Sequence, residues 1–141
     1  MKRERRLLVA SLAIAASGCG GDGTFEMLGP STPPAPRFRE IQAAILSPRC
    51  ALAGCHAAPA PAQGMDLSPG VSHASIVSVP STELAAFDRV RPFDPAGSYL
   101  LLKLEGDAVI VGERMPFGGP YLSDAEIATV RAWILAGAPN D

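Results

Sequence analysis

A seven-residue segment that holds two thiols and one imidazole constrains the fold of this chain more than any other feature. It runs Cys50-Ala-Leu-Ala-Gly-Cys55-His56, in a chain that has only three cysteines and two histidines. The 14 glycines and 14 prolines among 141 residues argue against a long helical bundle or a large sheet. A small domain rich in loops usually needs a covalent staple, a metal or a cofactor. The segment is where this chain could provide one.

The N-terminus predicts an export signal rather than part of the fold. Residues 1–6 carry four basic side chains, and residues 7–17 form an apolar run. At about eleven residues this run is too short to cross a bilayer, but it has the length of a signal-peptide core. The following Cys19 completes the tetrapeptide ASGC, which resembles the lipobox of bacterial lipoproteins and implies lipid attachment at Cys19. An ordinary signal peptide with an incidental cysteine is the alternative.

The chain therefore divides into three predicted parts. Residues 1–18 are a lipoprotein signal peptide, residues 19–36 are a tether rich in proline and glycine, and residues 37–141 are the domain. Without its signal the chain has 8 basic and 13 acidic residues, so its charge changes from −2 to about −5. This acidic balance and the lack of a basic stripe exclude a typical nucleic-acid-binding protein.

Apolar periodicity predicts the first and last helices of the domain. Phe38, Ile41 and Ile45 form one stripe with Ala44, in a helix expected to end before Pro48. The last helix has a stripe of buried residues, a capping box and a hydrophobic staple before a glycine and a proline end it. The stripe is formed by Ile127, Val130 and Ile134, with Trp133 beside it. The capping box is Ser123 with Glu126, the staple is Leu122 with Ile127, and Gly137 and Pro139 end the helix.

The middle of the domain is predicted to be largely irregular. Residues 57–71 are rich in proline, glycine and alanine, whereas residues 75–79 and 88–91 favour short extended pieces. Asp94-Pro95 has the pattern of an N-cap residue followed by proline at the first helical position. Residues 99–104 are predicted to form the second helix. Residues 112–121 form a turn-rich loop that contains Met115.

The residue types in the segment, two thiols with a histidine directly after the second, indicate c-type haem chemistry. Two thiols can add across the vinyl groups of a porphyrin, and the adjoining imidazole can bind the iron. The usual spacer between the cysteines has two residues, whereas Cys50 and Cys55 are separated by four. The extra residues must loop out, and Ala53-Gly54 supplies small, flexible residues for such a bulge. On the other face of the iron, the thioether of Met115 would complete His/Met ligation, which raises the reduction potential.

The order of these features resembles a class I c-type cytochrome and, more narrowly, the small cytochrome c-like lipoproteins of myxobacteria and related bacteria. The resemblance covers residues 38–139 and implies a mostly α fold, with helices and long loops around one covalently bound haem c. It also implies that Cys50 and Cys55 attach the haem and that His56 and Met115 bind its iron. The matching stretches are SPRC (47–50), GMDLS (64–68), RV (89–90) with Pro92, SYL (98–100), RMP (114–116), LSDAEI (122–127) and AWILAGAP (132–139).

Other interpretations of the same residues remain open. A Cys50–Cys55 disulfide could staple the domain in an oxidising compartment, and zinc would need a fourth ligand. His73, expected in a solvated loop, is the second candidate for the distal iron ligand. Arg89, Arg91 and Arg114 are candidates for pairing with the haem propionates, or they are ordinary surface charges. Carbonyls near Pro59 or Pro61 are candidates to accept a hydrogen bond from the His56 imidazole. Trp133 is expected in the core.

The function expected from this pattern is electron transfer rather than catalysis. The protein would be a monomer, exported and anchored by lipid to a bacterial membrane, where it would face the periplasm and exchange electrons with redox partner proteins. Gly20, rather than aspartate, follows Cys19, which favours the outer membrane. The alternative is a non-redox envelope lipoprotein, a binding or structural module stapled by the Cys50–Cys55 disulfide.

Overall fold

A computed structural model describes residues 34–141 of the chain. The predicted signal peptide, the lipid-attachment residue Cys19 and the tether up to residue 33 lie outside the described residues. Within residues 34–141 the regular structure is helical, and β pairing is limited to isolated bridges such as Val77 with Val90. The expected mostly α class is confirmed at this level. No helix in this part of the chain is long and apolar enough to span a membrane.

The first helical stretch contains three consecutive segments: α1 (Phe38–Ile41), a π-helical turn (Gln42–Leu46) and α2 (Ser47–Arg49). Phe38, Ile41 and Ile45 are buried as predicted, because residues three and four apart share a helix face.

Two details of that prediction are wrong. Ala44 is exposed, and Pro48 does not stop the helix. The N–H of Ser47 donates to the carbonyl of Gln42, five residues back. A π turn is wider than an α turn, so the hydrogen-bond register has already shifted before Pro48, which has no N–H, enters the helix.

The last helix, α5 (Asp124–Leu135), begins and ends much as the sequence indicates. The Ser123 side chain accepts a hydrogen bond from the Glu126 N–H at 3.3 Å, and Glu126 Oε2 accepts one from the Ser123 N–H at 2.8 Å. After the helix, Gly137 has φ +97°, and a Cβ there would lie 2.5 Å from the ring of Phe93. Glycine is required at this position by both its backbone conformation and the close approach of Phe93.

The two ends of the domain pack together through aromatic rings. Phe38 stacks on Trp133 with the ring centroids 5.1 Å apart, and the Trp133 indole N–H donates to the Pro139 carbonyl. His73, on the short helix α3 (Ser72–Ile76), packs edge-on against Phe38, with Nε2 2.9 Å from the Ala138 carbonyl. The prediction of a solvated loop at His73 is therefore wrong, because α3 places the ring against this aromatic pair.

The middle of the domain is more helical than predicted. Residues 75 and 76 belong to α3 rather than to an extended piece, residues 88–91 form only isolated bridges, and a 3-10 turn (Ala62–Gly64) interrupts the irregular stretch. The helix α4 (Tyr99–Glu105) begins after Ser98, not at Asp94. Asp94 instead accepts a hydrogen bond from the Gly97 N–H, in the turn that precedes the helix.

One apolar core joins these helices and holds the loops between them. Buried side chains from α1, the π turn, α4 and α5 meet others from the loops, and Trp133 is almost fully buried as expected. The loop residues in this core include Leu67, Val90 and Leu122. One side of the core is open, and that opening forms the cavity described below.

Candidate functional site

Cys50, Cys55, His56 and Met115 all line one cavity of about 570 Å³. This volume lies within the range of about 300–1,000 Å³ that is usual for small-molecule and cofactor sites. The first three side chains come from the end of α2 and the loop after it, and Met115 comes from the loop before α5. The surrounding lining is mainly apolar and includes Ile45, Leu46, Leu67, Leu100 and Leu104.

The residues between the two cysteines form a closed loop. The carbonyl of Cys50 accepts hydrogen bonds from the backbone N–H of Leu52 at 2.8 Å and of His56 at 3.2 Å. Gly54 has φ +80°, a left-handed conformation that glycine adopts without strain. The expected turn at Ala53-Gly54 is present, and it brings the His56 backbone back to Cys50 despite the longer spacer.

The two thiols are in different environments, and neither is in a disulfide. Cys50 is half-buried and Cys55 is exposed. Burial raises the pKa of the Cys50 thiol to about 11, an effect that Cys55 strengthens and the Arg49 charge partly offsets. At neutral pH Cys50 is therefore a protonated thiol on the cavity wall.

The imidazole of His56 is held by backbone carbonyls of the following loop. Its Nδ1 lies 3.2 Å from the carbonyl oxygen of Met65, and the carbonyl of Ala62, directly after Pro61, also acts on the ring. When Nδ1 carries the proton and donates it, Nε2 keeps its lone pair, which is the arrangement found at metal-binding histidines. Burial, the largest effect, lowers the pKa of His56, and the ring is neutral at pH 7.

Met115 is fixed to α4 through the backbone. Its N–H donates to the Lys103 carbonyl at 2.9 Å, and the side chain of the preceding Arg114 donates to the Leu104 carbonyl at 2.8 Å. The Met115 side chain is half-buried and packs against the core beside the cavity. The structure thus brings the four predicted ligand and attachment residues together, whereas His73 is not among the residues that line the cavity.

Of the three arginines considered for the propionates, only Arg89 lines the cavity. Arg91 forms ion pairs with Asp88 and Asp94. The guanidinium of Arg114 lies 4.4 Å from the ring centroid of Tyr121. These contacts give Arg91 and Arg114 structural roles outside the cavity.

Sequence reasoning missed a polar wall of the cavity, formed by Glu83, Tyr99 and Lys103. The Tyr99 hydroxyl donates to Glu83 Oε2 at 2.8 Å and accepts from the Val111 N–H at the same distance. Lys103 Nζ lies 3.1 Å from Glu83 Oε2 and donates to the Val111 carbonyl. The spacing of Tyr99 and Lys103, four residues apart on a predicted helix, is the one signal that could have placed two of them on the same face.

The donor types that line the cavity are two thiols, an imidazole and thioethers. Within residues 34–141 no group of three or more His, Cys, Asp or Glu side chains could hold a metal ion. A porphyrin supplies four iron ligands itself and requires only two from the protein. A thiol pair, a carbonyl-held imidazole and a thioether around an apolar cavity meet that requirement.

Comparison of the chain with family models, with curated proteins and with solved structures gave no match.

Proposed function

We propose that this chain is a mono-haem c-type cytochrome with a class I cytochrome c-like fold, which carries electrons and does not catalyse a reaction. The observation that supports this most is that Cys50, Cys55, His56 and Met115 line one apolar cavity although Met115 is distant from the others in sequence. Met65 also lines this cavity, but Met115 is the methionine that reaches it from the loop before α5, far from the cysteines in sequence.

Each residue has a definite task in this proposal. Cys50 and Cys55 would hold the porphyrin covalently through thioether bonds, and His56 Nε2 and the Met115 sulfur would be the protein ligands of its iron. The bound haem supplies an iron that gains and loses one electron. The Met65 carbonyl keeps the imidazole in the tautomer that exposes Nε2, and the Lys103 carbonyl fixes the backbone of Met115.

The surroundings suit electron transfer more than small-molecule chemistry. Two protein ligands, His56 and Met115, would leave no coordination position on a bound haem iron for oxygen or peroxide. The apolar lining, including Leu67, Leu100 and Leu104, excludes water from the porphyrin faces and favours the less charged ferrous state. These properties belong to a carrier that passes an electron without making or breaking a substrate bond.

The location and the partners follow from the sequence. The export signal and Cys19 support a monomer anchored by lipid to the membrane, facing the periplasm, with the outer membrane favoured by Gly20. The redox partners are envelope proteins. Because the protein without its signal carries a charge of about −5, a partner with a basic docking surface would associate faster at low salt.

Mass analysis of the covalent attachment tests the proposal. The full chain is produced together with a periplasmic cytochrome-maturation system, digested, and searched for the peptide that contains Cys50 and Cys55 with one haem added. The matched control replaces both cysteines with serine and is expected to carry no covalent haem. If the peptide instead carries an internal disulfide and no haem, the non-redox lipoprotein is the better interpretation.

A further inference from the structure

Arg89 is a buried cation that has no carboxylate partner among residues 34–141. Its relative exposure is 9%, and its guanidinium donates to three backbone carbonyls, those of Gln63 at 2.6 Å, Ser75 at 2.8 Å and Gly64 at 3.4 Å. Burial lowers the pKa of Arg89, which remains charged at all physiological pH values. Buried charges without an ion pair are destabilising, so this position indicates a role for the charge itself.

Two of the three carbonyls that Arg89 contacts, those of Gln63 and Gly64, belong to the turn before the His56 acceptor, and the third, that of Ser75, belongs to α3. Gln63 and Gly64 have φ values of +55° and +61°, and for Gln63 this left-handed conformation is unfavourable. Met65 follows directly, and its carbonyl accepts the imidazole N–H of His56. The guanidinium therefore stabilises a strained turn one residue before the His56 acceptor.

Arg89 also lies on the wall of the same cavity. A positive charge beside a cofactor disfavours the oxidised iron, which carries one more positive charge than the reduced iron.

We propose that Arg89 is a positioning residue for His56, which fixes the turn that carries the Met65 carbonyl and raises the reduction potential of the iron through its buried charge. This proposal rests on the proposed haem site. It assigns two separable effects to one side chain: a hydrogen-bonding effect on the imidazole, and an electrostatic effect on the iron.

Two substitutions separate these effects in the haem-loaded protein. Arg89→Gln removes both the charge and the planar set of guanidinium N–H donors. Arg89→Lys keeps the charge but loses that set of donors. The measurements are the midpoint potential and the hydrogen-exchange rate of the His56 Nδ1–H, followed by NMR in the reduced protein. Arg91→Gln is the matched control, since Arg91 is a nearby arginine paired with Asp88 and Asp94 and does not line the cavity.

We expect Arg89→Gln to lower the midpoint potential and to accelerate Nδ1–H exchange by about tenfold, as expected for a weakened hydrogen bond. Arg89→Lys should restore most of the potential while exchange remains fast, and Arg91→Gln should change neither quantity. If Arg89→Gln does not fold, the test rests on Arg89→Lys alone. A His56 Nδ1–H exchange rate in Arg89→Lys equal to that of the wild-type protein would contradict the positioning role.

Three results would overturn the proposal. Arg89→Gln could leave both the potential and the exchange rate unchanged, or Arg91→Gln could shift the potential as much as Arg89→Gln does. A wild-type chain that takes up no haem would overturn the proposed function together with this inference. That last failure is distinguishable, since in the first two cases haem is bound.

Discussion

The backbone N–H of Met115 donates a 2.9 Å hydrogen bond to the carbonyl of Lys103 in α4. The loop that carries the proposed distal ligand is therefore attached to a helix whose Leu100 and Leu104 side chains line the same cavity. Placement of the Met115 sulfur depends on a regular element rather than on the loop alone. Because this attachment is made by the backbone, replacing the Met115 side chain leaves it in place.

Replacing Met115 with alanine should lower the reduction potential and let carbon monoxide bind the iron. The reason is that a thioether stabilises the reduced iron and occupies the position that carbon monoxide would take. The measurements are a redox titration and the absorption spectrum of the reduced protein under carbon monoxide.

The matched control for that prediction is Met65→Leu. The Met65 side chain lines the same cavity and is half-buried, but its assigned contribution comes from the backbone carbonyl, which leucine retains. Carbon monoxide should not bind this variant. Binding to Met65→Leu but not to Met115→Ala would identify Met65 as the distal ligand.

The two thiols should react at different rates in the chain produced without haem. Cys55 is exposed, whereas Cys50 is half-buried with a pKa of about 11, so its reactive thiolate is scarce near pH 8. Alkylation at pH 8, followed by peptide mass analysis, should label Cys55 first. Labelling of Cys50 should rise as the pH approaches 11. Equal rates would contradict the structure, and labelling only after reduction would support a disulfide.

Acid should destabilise the haem-free fold through His56. Because the folded-state pKa lies below the ordinary value of 6.5, the unfolded chain binds the proton more tightly. The stabilising contribution is thus present above pH 6.5 and is lost as the pH falls through the lower folded-state pKa. Urea unfolding at several pH values measures this, and His56→Asn should flatten the dependence. An unchanged slope in His56→Asn would assign the effect to other groups.

Tyr99→Phe should lower the free energy of unfolding by about 0.5–1.5 kcal/mol, the usual net contribution of an intramolecular hydrogen bond. The Val111 N–H loses its acceptor, and Glu83 keeps only its other partners, including Lys103. Tyr121→Phe is the control, because Tyr121 is exposed and keeps its ring beside Arg114. Urea unfolding should separate the two variants, and equal effects would argue against the polar wall as a stabilising network.

Local patterns in the sequence predicted the ends of α5 and the buried face of the first helical stretch. The Ser123–Glu126 capping box depends on residues three apart, and the Phe38, Ile41 and Ile45 stripe depends on helix periodicity alone. The predictions were wrong where the conformation or burial of a residue depends on its surroundings rather than on its own type. Pro48 continues the helix because of the π turn before it, and His73 is packed by rings from both ends of the domain.

The sequence predicted four side chains of the candidate site but not its backbone contacts or its polar wall. Cys50, Cys55 and His56 were identified as two thiols with an adjoining histidine, and Met115 by its position in the RMP loop. The Met65 carbonyl that orients His56 is a main-chain atom, for which residue type gives no signal. Glu83 joins Tyr99 and Lys103 only through the fold, since it comes from an irregular loop.

The reduced absorption spectrum tests the haem assignment most directly. The full chain, produced with a periplasmic cytochrome-maturation system, should be red and show a sharp α-band after reduction, and the colour should remain with the protein after acid extraction. A colourless protein, or one whose haem is fully removed by acid, would contradict covalent haem attachment at Cys50 and Cys55.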